Sequence, residues 1–248
     1  ELMYMDFTLV AMDQIINQIA KTRYIFGGKA VIPLVIRGQQ GVGRGNAATH
    51  SQSMEAVFLH FPGLKVAMPS DASDAAGLLR TAIRDDNPVM FFEHKALYTS
   101  KCEVDDSPDF SVPFGKARIL REGTDVTIIA THTYVQKSLN VAEKLAAEGI
   151  SAEVIDPRTL VPMDWDAMAA SVEKTGRAVV VHEAHRTGGA GAEIAAELSE
   201  RTFRYLDSPI LRLGAKSCPL PFNLGLENAV VPQESDIYAA CKRALYQA

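Results

Sequence analysis

Short β-rich apolar runs alternate with stretches of helical period along most of this chain, and that alternation limits the available folds more than any other feature. Val126 to Ala130 is such a run. Val135, Leu139, Ala142 and Leu145 then form a helical stripe that stops at Gly149. Ala152 to Ile155 is the next strand, a helix follows Asp164, and Ala178 to Val181 is again a strand. The turn Gly188 to Gly191 opens a helix to about Thr202, Ile210 to Leu213 is a further strand, and Pro232 starts a last helix reaching the C-terminus. Strand–helix alternation of this kind predicts parallel sheets covered by helices, an α/β fold.

The first half follows the same rule less regularly. Asp6 is expected to cap a helix to about Tyr24, with Leu9, Met12, Ile15, Ile16 and Ile19 on its apolar side and Gly27-Gly28 at its end. Val31 to Ile36 reads as a strand, and Pro33 within it points to an edge or an irregularity. A Gly-rich loop, Gly38 to Gly45, comes next. A helix over residues 51–61, a strand Lys65 to Met68, a helix over 71–84 and a strand Val89 to Glu93 complete this half. From Leu97 to Gly115 the periodicity disappears and Pro, Ser and acidic residues dominate. The expected organisation is two parallel-sheet domains, residues 1–96 and 117–248, joined by a linker over 97–116.

Composition excludes several functions. The net charge is −5 and the basic residues are not clustered, which argues against a nucleic-acid surface. No apolar run approaches the roughly 20 residues that span a bilayer, and no secretory leader is visible. Three widely spaced cysteines, Cys102, Cys218 and Cys241, suit reduced thiols in a cytosolic or organelle-matrix protein. The first residue is Glu1, not Met, which suggests that residues are missing ahead of it.

Five motifs bear on chemistry. Gly38-Gln39-Gln40-Gly41-Val42-Gly43-Arg44-Gly45 is either a flexible loop or a ligand loop. It lacks the Lys-Ser or Lys-Thr of a phosphate loop and the spacing of a dinucleotide fingerprint, so a nucleotide-dependent oxidoreductase is disfavoured. His50, after that loop and at an expected helix start, is placed for proton transfer or is merely a surface cap. His182-Glu183-Ala184-His185-Arg186 has the wrong histidine spacing for a zincin. It sits instead at the carboxyl end of a strand, where α/β proteins place binding surfaces. Gly188 to Gly191 reads as a tight strand–helix turn, with anion binding as the alternative. The turn Arg84 to Pro88 could coordinate a cation through oxygen or simply reverse the chain.

Taken in order, Glu1-Leu2-Met3-Tyr4-Met5-Asp6-Phe7, Met12 to Asn17, His50-Ser51-Gln52-Ser53, Pro62 to Val66, Arg84 to Pro88 and Glu153 to Thr159 resemble one family along essentially the whole chain. This is the β subunit of the thiamine diphosphate-dependent, decarboxylating component of 2-oxo acid dehydrogenase complexes. The resemblance implies a partial transketolase-like pyrimidine-binding domain followed by a transketolase C-terminal-like domain. It implies oxidative decarboxylation of pyruvate, a related 2-oxo acid or acetoin, with acyl transfer to lipoyl groups. Phe7 would lie against the cofactor's aminopyrimidine, and His50 would be the active-site histidine. Leu34, Ala82, Ile83, Asp85 and Asn87 would form a potassium site, mostly through backbone oxygens.

The implied partners are an α subunit that holds the diphosphate and magnesium, a second β subunit in a heterotetramer, and a lipoyl-bearing acyltransferase core. The chain shows no Gly-Asp-Gly segment of the kind used for the diphosphate and magnesium. The implied location is bacterial cytoplasm or a mitochondrial or plastid matrix. The family's essential glutamate would fall roughly two dozen residues ahead of Glu1, outside this sequence, so the chain as given is expected not to activate thiamine. A non-catalytic assembly subunit is the rival reading. For the substrate, Glu1-Leu2-Met3 and Phe26 to Ala30 lean towards the acetoin and pyruvate types, and Glu183 to Gly189 towards the branched-chain type.

Overall fold

The computed structural model describes residues 1–246. Its first helical segment runs without a break through a 3-10 turn, Met5–Ala11, a π-helical stretch, Gln14–Ile19, and α1, Ala20–Ile25. Asp6 does not cap this segment: Tyr4 stands at the N-cap, without a side-chain hydrogen bond. The Asp6 carboxylate is buried and turned to Gln52 instead, accepting from its Nε2 at 2.9 Å.

The first sheet follows from β1, Val35–Gln40, α2, Glu55–His60, β2, Lys65–Ala67, α3, Ala72–Ile83, and β3, Val89–His94. Strand β1 starts later than the apolar run suggests, because Pro33 has no N–H to give a ladder. It continues through Gly38, Gln39 and Gln40, which were expected in the loop. Strands β1, β3 and β2 are parallel, and every residue of β3 is buried. Asp71 caps α3 by accepting from Asp74 N at 2.7 Å.

The second sheet has the order β4-β6-β5-β8-β9. It contains β4, Arg118–Arg121, β5, Val126–Ala130, α4, Thr133–Ala146, and β6, Ala152–Asp156. After the short β7, Thr159–Val161, come α5, Trp165–Thr175, β8, Ala178–His185, α6, Ala190–Thr202, and β9, Leu211–Ala215. The chain closes with α7, Leu224–Val230, and α8, Glu234–Ala244, so the last helix stops short of the C-terminus; residues 247–248 lie outside the described ones. Strands β5, β6, β8 and β9 are parallel, and only β4 runs against its neighbour.

Alternation along the central strands decides the packing. Val126, Ile128 and Ala130 face α4 and α8, sharing a core with Val141, Leu145 and Ile237. Ile129, Ile155 and Val180 face the other way, into a core with Met168 and Val172 of α5 and Leu198 of α6. That second core does not stop at the sheet. It continues into Met5, Phe58, Met90 and Phe92 of the first half, so one apolar body joins both.

Two further features tie the halves together. Strand β7 leaves the second half and pairs antiparallel with β2, so the first sheet reads β1-β3-β2-β7. Around residues 98–117 the chain is irregular but strapped to α3. Arg80 donates to Ser107 O at 2.6 Å, Thr81 donates to Val112 O at 2.7 Å, and Val112 is buried against the α3–β3 core.

Candidate active site

Three aromatic rings meet at one open face of the first half. Phe7 and Tyr4 come from the start of the first helical segment, and His50 from the turn before α2. The Tyr4 and His50 ring centres are 4.8 Å apart, and those of Phe7 and His50 5.3 Å, both edge to face. Phe7 is 39% exposed despite lying against His50, and Leu9 and Val10 of the same segment are more exposed still. The structure thus brings Phe7 and His50 side by side although they are far apart in sequence.

The His50 ring is held by Thr49, whose Oγ1 lies 2.9 Å from Nδ1. This leaves Nε2 as the ring nitrogen not engaged by Thr49. The expectation that His50 starts a helix fails: α2 begins only at Glu55, so no helix terminus acts on the imidazole.

Beneath the rings lies a residue that the sequence reading missed. Lys95 is completely buried, at the end of β3. Its Nζ donates to His50 O at 2.5 Å and to Asn46 Oδ1 at 3.2 Å, and lies 4.9 Å from the centre of the Tyr4 ring. Burial pushes its pKa down, and the charges of Asp6, Glu183 and Glu227 pull it partly back. A lysine in a Glu-His-Lys run looks like an ordinary surface residue, and nothing in the sequence separates it from one.

The glycine-rich loop is not bare. Gly41 has φ +89, and a methyl group there would overlap His94 Nε2 and Glu183 Oε1. Val42 N donates to Glu183 Oε1 at 2.7 Å, and Gly43 N to Glu227 Oε2 at 2.9 Å. Glu183 belongs to β8 and Glu227 to α7, so both carboxylates reach across from the second half. Glu183 also meets His94 Nε2 at 3.0 Å. Burial works to raise its pKa, but the charge and hydrogen bond of His94 and the N–H of Val42 outweigh that and hold it below the usual range.

Next to this pair, His132 Nε2 donates to Phe92 O at 3.1 Å. Burial, aided by the His94 charge, pushes the His132 imidazole down to about 3, so it is neutral. His182, the first histidine of the strand-end motif, is buried, and neither of its ring nitrogens has a hydrogen-bond partner. Burial lowers its pKa to about 4.

The residues of the expected potassium site also come together, where α3 ends and the chain enters β3. Ala82 O accepts from Asp85 N at 3.2 Å, and Leu34 O accepts from Val89 N at 2.9 Å. The Asp85 carboxylate is already occupied. Its Oδ1 accepts from the backbone and side-chain nitrogens of Asn87, each at 2.9 Å, and its Oδ2 is paired with Lys65 Nζ. The Lys65 ammonium takes the position that a cation on this side chain would need. The Asp85 side chain is thus taken, and the main-chain oxygens of Leu34, Ala82 and Ile83 are what the expected site would have to use.

A separate concavity of about 790 Å³ opens between α2, β7 and α6, lined by residues such as His60, Leu160, Trp165 and Glu193. It includes neither Phe7 nor His50. The aromatic trio is one wall open to solvent and not the lining of a closed pocket.

Comparison with known proteins now bears on this wall. Residues 1–101 match the pyrimidine-binding domain of transketolase, and residues 115–237 match the transketolase C-terminal domain. The pyruvate dehydrogenase E1 component subunit beta of Rickettsia felis is 44% identical over 99% of this chain and 75% of its own length. The mitochondrial subunit beta-2 of rice is 45% identical over 100% of this chain and 67% of its own. The acetoin:2,6-dichlorophenolindophenol oxidoreductase subunit beta of Cupriavidus necator is 45% identical over 99% of this chain and 72% of its own. Among solved structures, a split-gene transketolase, described as an inactive beta4 tetramer, superposes with a TM-score of 0.77 at 25% identity. That match covers 98% of this chain and 74% of the other. Both domain models and likeness to these subunits along nearly the whole of this chain place it in the transketolase-like family of E1 component β subunits.

Proposed function

We propose that this chain is the β subunit of a thiamine diphosphate-dependent 2-oxo acid dehydrogenase and supplies one wall of an active site shared with an α subunit. One observation carries the reading: Phe7 and His50 stand 5.3 Å apart on an open face. When bound, thiamine diphosphate supplies the nucleophilic carbon and the electron sink for decarboxylation. This chain does the rest of the work on its side. Phe7 and Tyr4 would take the pyrimidine by apolar contact. The exposed Leu9 and Val10 beside them form the kind of surface that an obligate partner covers. Thr49 holds the His50 ring so that Nε2 can hold or pass a proton during acyl transfer to a lipoyl group.

The partner α subunit is assigned the diphosphate and magnesium, and a second β subunit and a lipoyl-bearing acyltransferase core complete the assembly. Pyruvate or acetoin is the favoured substrate type, on the names of the similar proteins. The domain boundary is placed within residues 97–116, and the setting in bacterial cytoplasm or an organelle matrix. No helix among the described residues is long and apolar enough to cross a membrane.

The reading is tested in an assembled αβ enzyme whose β subunit also carries the cofactor-activating glutamate. His50→Ala should lower lipoyl acylation by about a hundredfold or more, as loss of a general acid–base group does. Phe7→Ala should weaken cofactor binding measured by calorimetry. Unchanged acylation in the first variant and unchanged affinity in the second would sink it. The potassium site is proposed on the backbone oxygens of Leu34, Ala82, Ile83, Asp85 and Asn87. It predicts a higher melting temperature in potassium than in sodium chloride at equal ionic strength.

A further inference from the structure

Two buried carboxylates do something that the fold alone does not require. Glu183 is 6% exposed and Glu227 1%. Both lie in the second half, yet both spend an oxygen on backbone N–H groups of the first: Val42 at 2.7 Å and Gly43 at 2.9 Å. Burying a carboxylate is costly, and for stability alone a well-packed apolar residue would serve as well or better. Glu227 Oε1 is even left without a partner. These contacts hold a conformation. Gly41, Val42 and Gly43 form a turn with φ of +89 at the first residue and +107 at the third. Glycine tolerates these angles but does not enforce them.

The turn leads to the aromatic wall. Three residues beyond Gly43 is Asn46, and four further is His50; Lys95 grips both. The residue before Lys95 is His94, which is bonded to Glu183. The loop is therefore held at its start by carboxylates and at its end by an ammonium, and the Glu183 and Lys95 grips meet at adjacent residues, His94 and Lys95, where β3 ends.

We propose that Glu183 and Glu227 are positioning residues, which fix the turn over residues 41–43 and thereby set where the His50 ring stands. The proposal rests on the function above only for its kinetic consequence.

The test uses Glu183→Ala, Glu183→Gln, Glu227→Ala and Glu227→Gln in the full chain and in the αβ enzyme. In the alanine variants, the amides of Val42 and Gly43 should exchange with solvent faster. The rate at which diethyl pyrocarbonate modifies His50 should change as its ring loses a fixed position. In the αβ enzyme kcat should fall about tenfold, with KM for the 2-oxo acid held within about twofold, because misplacement of a catalytic group costs rate more than binding. The glutamine variants keep an oxygen that accepts from the same N–H groups and should recover most of the rate. If Glu183→Ala does not fold, Glu227→Ala and the two glutamine variants carry the test. Unchanged exchange at both amides with unchanged His50 reactivity in Glu227→Ala overturns the proposal. An αβ enzyme that carries the cofactor-activating glutamate and is still inactive with native residues overturns the function instead, and the exchange and modification results still decide the clamp.

Discussion

Two glycine-rich turns follow parallel strands in this molecule, and they are built for different ends. The turn after β1 has two acidic side chains closed on its N–H groups and no room for a methyl group at Gly41. The turn after β8, Gly188 to Gly191, opens α6 and lies over the ring of His182, which has no polar partner. The first turn is held by charge brought from a distance, and the second by apolar packing under a helix. Glycine content is alike in both, so what separates a site loop from a structural turn is what the rest of the chain places against the backbone.

Substitutions in the two turns should separate these modes. Gly41→Ala carries the largest effect. It combines a positive φ with overlap on two buried side chains, and should cost about 3 kcal/mol in urea unfolding. Gly191→Ala crowds His182 at 2.6 Å but has no unfavourable φ, and alanine suits the helix better. A loss of about 1–2 kcal/mol is expected. Equal losses at the two sites would erase the contrast.

The packed turn should also show in acid. His182 has its pKa pushed down to about 4 by burial, below its ordinary 6.5. The unfolded chain therefore binds the extra proton first as the pH falls. The stability from keeping His182 neutral is present above pH 6.5 and lost as the pH drops towards 4. His132 acts in the same direction, and Asp156, raised to about 7 by burial, acts in the opposite one. His182→Leu should hence flatten the acid slope of stability relative to the native chain by at most about 1.4 kcal/mol per pH unit. Parallel slopes would mean that the ring is solvated. The smallest effect belongs to the far end of α6, where Arg201 and Glu197 pair on the surface at 2.6 Å. Glu197→Gln should change stability by about 0.3–0.5 kcal/mol, erased by salt.

Much of the fold was legible because burial leaves a pattern. Strands β5, β6 and β8 read as apolar runs, since both their faces are covered. Strand β4 was missed because it is an edge with arginine at both ends, and β7 because three residues before a proline carry no period. Helix α7 is short and was missed as well. The pairing of Phe7 with His50 came from family resemblance, since no local rule links residues so far apart. Lys95 and Glu227 were not legible at all: a buried charge has the same letter as a solvated one. Glu183 gave a faint signal, an acid inside the last residues of a buried strand, and its partner across the molecule could only be found in three dimensions.

The short strand that the second half lends to the first sheet has a consequence for synthesis. A ribosome delivers the chain from its N-terminus, so β1, β2 and β3 all emerge well before Thr159 to Val161. Until those residues appear, β2 keeps a bare backbone flank able to pair with another chain. The nascent first half is thereby exposed to chaperones, or to strangers, for as long as the intervening stretch takes to translate.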